Sequence, residues 1–204
     1  MNTSRKSISR ATLWTILLVV ALYALDQVTK WYIVLHFALP GNGYMEAVEA
    51  FRSSVLNLDI VRLHNTGVAF GMGNGTVWAP FVFLGVQVVA LVGLVWLYAR
   101  GFFSTRLLKV AWACVLAGVL GNMADRLTQG FFLPGVEGLG FFEKLRLGYV
   151  VDFIDFSLPW LRTASFPLGY HWPAFNVADS CVCIAAGLFI ISAFFFPEPE
   201  PAAS

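Results

Sequence analysis

Four long apolar stretches set the pattern of this chain, and the polar positions between them change period. The first covers about residues 11–36: it begins after Arg5, Lys6 and Arg10 and continues with helical spacing past Asp26, Lys30 and Trp31. Residues 77–99 contain no charge at all; about 107–126 and 174–196 follow, with Pro197 ending the last. Each reaches the roughly 20 residues with which an α-helix crosses a hydrocarbon layer of about 30 Å. No small-x-small cleavage site closes the first, so it reads as a retained helix rather than a secretory leader. In residues 55–63, Val-Leu-Asn-Leu-Asp-Ile-Val-Arg-Leu, apolar and polar positions instead alternate as far as Ile60, as in a half-buried strand. Residues 149–156, rich in β-branched and aromatic side chains, predict a second strand.

The expected fold is an all-α membrane protein: four transmembrane helices with a small β-containing platform built from the long connections, about 38–76 and 127–173. Arg5, Lys6 and Arg10, then Arg100, Arg106 and Lys109, flank the segments that a cytoplasmic N-terminus would place inside. Both termini are therefore expected in the cytoplasm and the platform on the outer, periplasmic side. Trp31, Trp78, Trp160 and Trp172 fall at the outer helix boundaries and Trp14, Trp96 and Trp112 nearer the inner ones, as interfacial indoles should. The tail 197–204, opening Pro-Glu-Pro-Glu-Pro, reads as disordered. No internal repeat divides the chain, so residues 1–204 are expected to form one domain.

Composition narrows the class. With 58% hydrophobic and 12% charged residues and a mean hydropathy of +0.73, the chain lies outside the range of ordinary soluble domains. The net charge of +1 is dispersed, with no basic face, which sets aside a nucleic-acid partner. Cys114, Cys181 and Cys183 all sit in apolar stretches and read as small hydrophobes rather than a disulfide framework. His36, His64 and His171 are scattered without ligand spacing, so no metal is expected.

What remains for chemistry is carboxylates. Neither serine nor cysteine is placed with a histidine for nucleophilic catalysis, and no His-Glu-x-x-His occurs. Gly148-Tyr-Val-Val-Asp-Phe-Ile-Asp155 and Phe175-Asn-Val-Ala-Asp-Ser180 set carboxylates in apolar sequence, where they are costly unless they serve a site. If residues 149–156 are a strand, Asp152 and Asp155 face opposite ways and only one can meet Asp179. Asp152 is the choice, and Asp155 is left to solvent or a nearby cation. Asn176 suits the N-cap of the fourth helix and Asp179 its third position, where the helix N-terminus favours an ionised carboxylate. Asn122, Asp125 and Arg126 share a face at the end of the third helix, either as a polar cluster of the site or as an intrahelical ion pair. Asp26 and Lys30 are spaced for an i,i+4 pair tying helices together. Two carboxylates sharing a site cannot readily both ionise: one stays protonated as acid while the other, as base, activates water against a carbonyl. That is the logic of an aspartic peptidase. The alternative is an ion- or proton-coupled transporter using the same acids as relays, although they cluster at one membrane face and four helices carry no inverted repeat.

Five blocks occur in order: Asp26-Gln-Val-Thr-Lys30, Asn65-Thr-Gly-Val-Ala-Phe-Gly71, Gly121-Asn-Met-Ala-Asp-Arg126, Val151-Asp-Phe-Ile154 and Phe175-Asn-Val-Ala-Asp-Ser180. Together they resemble the bacterial lipoprotein signal peptidases, signal peptidase II. The resemblance implies a monomeric aspartic endopeptidase of the bacterial inner membrane, working at the periplasmic face without a cofactor. Its substrates would be diacylglyceryl-modified prolipoproteins, cut just before the modified cysteine, with membrane lipid as the other partner. Matched by motif, Asp152 and Asp179 correspond to the family's catalytic pair. Asn65, Asn122, Arg126 and Asn176 correspond to positions that bind substrate or the antibiotic globomycin, and Asp26 and Asp125 to supporting polar positions beside Lys30. Residues 131–147 depart from the pattern as an insertion between the Asp-Arg and Val-x-Asp-Phe motifs.

Overall fold

A computed structural model describes residues 9–41, 46–67, 76, 78–163, 165 and 170–196. Arg5 and Lys6, the second half of the Asn-Thr-Gly motif (68–71) and the tail 197–204 lie outside the described residues. Among the described residues, four helices are long and apolar enough to cross a membrane. They are α1 (Arg10–His36), α2 (Ala79–Ala99), α3 (Arg106–Thr128) and α5 (Val177–Phe195). A 3-10 turn at Gln129–Phe131 prolongs α3, and the short helix α4 (Phe141–Arg146) lies in the insertion. The ends expected from hydropathy shift by a few residues because capping decides them. Ser9 and Thr105 accept from Thr12 N and Leu108 N at the starts of α1 and α3, and α5 begins only after the extended Asn176.

Helix α3 is the centre of the bundle and packs against α1, α2 and α5. Among its buried residues, beside Trp112 and Leu116, are the small Ala111, Ala113, Ala117, Gly118 and Gly121, which let neighbouring backbones approach closely. At Gly121 a Cβ would run into the Asp26 carboxylate of α1. On α2, by contrast, Val86, Val89 and Val92 are well exposed, the arrangement of a helix whose apolar side faces lipid.

The connections build one antiparallel sheet in the order β1 (Ala47–Phe51), β2 (Asn57–Asn65), β3 (Val150–Leu158), β4 (Tyr170–His171). Its centre is the pair of strands expected from the sequence. The sheet lies against the C-terminal halves of α1 and α3 and the start of α5, since Val151 N donates to Asp125 and Phe175 bridges to Ile154. Between Ile60 and Leu63 the register of β2 against β3 shifts by one residue. Beyond this bulge Asn65 stands opposite Val150 and therefore diagonal to Asp152 on the same face. The bulged segment also buries Arg62, whose Nη1 donates to Val34 O and Phe37 O at the end of α1. The insertion is packed onto the end of α3: at Gly148, two residues before β3, a Cβ would strike Arg126 O, and Lys144 O would be met in the same way from Gly130.

Candidate active site

The polar residues of three spanning helices and two strands meet at the sheet end of the bundle. Lys30, wholly buried, is their hub. Its Nζ lies 2.9 Å from Asp26 Oδ2 and 3.0 Å from Asp125 Oδ2 and donates to Asn122 Oδ1 at 2.9 Å. The i,i+4 pair read from the sequence thus exists, but it is one side of a three-helix clamp. Asp26 also accepts from Ala178 N at 2.8 Å, occupying a free N–H in the first turn of α5, and Asp125 accepts from Val151 N at 3.0 Å. Gln27 fills the remaining space, its Nε2 lying 3.1 to 3.2 Å from Asp26 Oδ2, Gly121 O and Asp125 Oδ1. These contacts lock the start of α5 and the start of β3, the two segments that carry Asp179 and Asp152.

Asn176 and Asn122 connect those two acids. Asn176 is the N-cap of α5: its Oδ1 accepts from Asp179 N at 2.9 Å, while its own N donates back to Asp179 Oδ2 at 3.2 Å. Its Nδ2 donates to Asp152 Oδ1 at 2.8 Å and lies 3.2 Å from Asn122 Oδ1. Asn122 Nδ2 in turn donates to Asp179 Oδ1 at 2.8 Å. Asp152, 3% exposed, also accepts from Asn65 Nδ2 at 2.9 Å. Burial, then the nearby Asp179 charge, push the Asp152 carboxyl from its ordinary 3.8 up to about 7, against the pull of its amide donors and Lys30.

Asp155 lies on the other face of β3, as the strand period requires, but it is buried rather than solvated, with His171 Nδ1 3.6 Å away. His64, next to Asn65, stacks on Tyr149 at 3.6 Å between ring centroids. Burial and Arg62 push it down to about 3, so it is neutral and takes no part as a charged group.

Arg126 makes no ion pair with Asp125, contrary to one of the two readings of the third motif: adjacent residues on a helix point apart, and Asp125 is taken by Lys30. Instead Arg126 Nη2 donates to Gly67 O, and the guanidinium lies 5.3 Å from the Phe83 ring centroid. Arg126 is 5% exposed, yet its Nε and Nη1 have no partner among the described residues. Arg126 borders a pocket of about 180 Å³, lined also by Asn65, Gly67, Phe83, Gln87, Asn122 and Asp179. The Asp179 carboxylate, the amides of Asn65 and Asn122 and the Arg126 guanidinium thus share a cleft against helix α2, with Asp152 hydrogen-bonded to Asn65 behind it. The sequence motifs contained every one of these polar groups except Gln87.

The comparisons agree with this architecture. A family model described as signal peptidase (SPase) II matches residues 18–195. The lipoprotein signal peptidase of Desulforapulum autotrophicum is 31% identical over 198 residues, 94% of this chain and 98% of the relative. That of Ralstonia nicotianae is 36% identical over 168 residues, 82% of this chain and 76% of the relative. A solved structure described as a bacterial membrane enzyme superimposes with a TM-score of 0.64 at 26% identity, over 93% of this chain and 94% of its own.

Proposed function

This chain belongs to the signal peptidase II family, membrane proteases that remove signal peptides from prolipoproteins, and we propose that Asp152 and Asp179 are the carboxylate pair with which it does so. The observation that carries the assignment is the shared network: Asn176 and Asn122 hydrogen-bond both acids into one unit beside a cleft. The transporter reading finds no support, since the acids gather at one end of the bundle around Lys30.

In the mechanism that fits this geometry, Asp179 is the ionised base, held by the Asn122 and Asn176 N–H donors and by the N-terminus of α5. It takes a proton from the attacking water. Asp152, kept protonated near neutral pH by its burial, donates to the scissile carbonyl oxygen as the tetrahedral centre forms. Collapse of that centre breaks the C–N bond, the amine leaves with the proton taken from water, and the carbonyl oxygen's proton returns to Asp152. Asn65 orients Asp152, and Arg126, two of whose donor nitrogens have no partner among the described residues, receives a substrate carbonyl. Asp26, Lys30 and Asp125 hold the two acid-bearing segments in register and do not touch the substrate.

The remaining elements of the proposal follow the family. The substrate carries a diacylglyceryl cysteine and is cut immediately before it, its acyl chains lying in lipid beside α2. The protein acts as a monomer in the inner membrane, with both termini cytoplasmic and the sheet and active site at the periplasmic face. Mass spectrometry of a lipidated prolipoprotein incubated with the purified protein tests this reading. Cleavage directly before the modified cysteine, abolished by globomycin, is the expected result. Cleavage at another bond, or none, would overturn it.

A further inference from the structure

Helix α2 runs 21 residues, Ala79–Ala99, and among them Gln87 is the only side chain bearing an amide or a charge. A lone amide on an otherwise apolar spanning helix is expensive unless its polar atoms are met. Gln87 Oε1 is buried and has no hydrogen-bond partner among the described residues. It does not face lipid: Gln87 lines the same pocket as Arg126, one turn along α2 from Phe83, the ring on which the Arg126 guanidinium rests. Among the described residues nothing donates to it, while Arg126 Nε and Nη1 are buried donors that find no acceptor there. The cleft therefore holds an unmatched acceptor on one wall and unmatched donors on another.

An extended peptide presents that complement, since each residue displays one N–H and one C=O from its main chain. Arg126 would take a carbonyl and Gln87 an N–H. We propose that Gln87 is a further substrate-binding residue, whose Oε1 accepts a main-chain N–H of the extended signal-peptide segment next to the scissile bond, opposite the carbonyl held by Arg126. The proposal rests on the peptidase reading above. It gives the cleft a grip on backbone rather than on side chains, which tolerates varied leader sequences while fixing the depth to which the chain enters.

The test couples enzyme and substrate changes in the full-length protein. The substrates are lipidated prolipoprotein peptides in which each of the leader amides nearest the cut is replaced in turn by an ester, which deletes one N–H. With the wild-type protein, one ester position should lower kcat/KM about 10-fold, the worth of one hydrogen bond in a buried site. Gln87→Leu should lower kcat/KM for the parent peptide by a similar factor, mostly through KM, and that ester should then cost nothing more. Thermal unfolding of Gln87→Leu should be unchanged or raised, because an unmet polar atom is removed from an apolar helix; a purely structural glutamine would lower it. Gln87→Asn, which withdraws the acceptor by one methylene, should behave as Gln87→Leu and serves if the leucine variant does not fold. Unchanged kcat/KM in these variants, or an ester penalty that persists in them, would overturn the role of Gln87 alone. Failure of the wild-type protein to cleave the parent peptide would overturn the peptidase reading, and this proposal with it.

Discussion

Replacing the proposed acid should make the protein more stable at alkaline pH and less stable at acid pH. Asp152 titrates at about 7 in the folded protein against an ordinary 3.8. Across that window the folded chain holds a proton that the unfolded chain has released, so stability falls as pH rises and levels off above about 7. The interval of about 3 pH units at about 1.4 kcal/mol each corresponds to about 4 kcal/mol. Asp152 is 3% exposed, so solvent screening does not reduce this. In Asp152→Asn the titration is gone, but one of the two amide donors, Asn65 Nδ2 or Asn176 Nδ2, then faces an NH2 group instead of an oxygen. Such a mismatch costs about 1–3 kcal/mol at any pH. The variant should therefore be less stable than wild type by about 1–3 kcal/mol at pH 4 and more stable by a similar amount at pH 8, the curves crossing at about pH 5. Reversible unfolding in detergent micelles, followed across that range for both proteins, measures it. Parallel curves, with the variant equally destabilised at both ends, would refute the reasoning.

The same protonation predicts that kcat/KM of the wild-type enzyme declines above about pH 7, as the acid member of the pair loses its proton; a rate flat to pH 9 would contradict it. Lys30→Met leaves Asp26 and Asp125 facing one another without their cation, and should cost about 3–5 kcal/mol of stability in denaturant titrations. Asn176→Ala should lose about 1 kcal/mol with its N-cap together with most of the activity. Asn176→Asp should recover the cap but not the turnover, because it puts a carboxylate in place of the Nδ2 donor to Asp152, so stability and activity assays on the two variants separate capping from positioning.

The helices and the two central strands were legible because each carries its own pattern: apolar runs of spanning length, and the alternation up to Ile60. Strand β1 was not, since all five of its residues are exposed and none alternates toward a core; its partner Val61, which is buried, fixes it instead. Helix α4 has only six residues and no buried position, so no amphipathic pattern announces it. Of the site, the strand period separated Asp152 from Asp155 and the capping pattern placed Asn176 and Asp179 correctly. The role of Lys30 could be read only in part, because spacing along α1 pairs it with Asp26 but says nothing of Asp125 on α3. The bulge between Ile60 and Leu63 that turns Asn65 toward Asp152 left no mark in residue types. Gln87 did leave one, as the single amide in an uncharged run, and its position against Arg126 gave that signal meaning.

The catalytic pair is tested most directly by the rate at which purified Asp152→Asn and Asp179→Asn proteins, each shown to be folded, cleave a lipidated prolipoprotein. Both should cut several orders of magnitude more slowly than wild type, with the residual product still ending before the modified cysteine. Near wild-type cleavage by either variant would contradict the assignment.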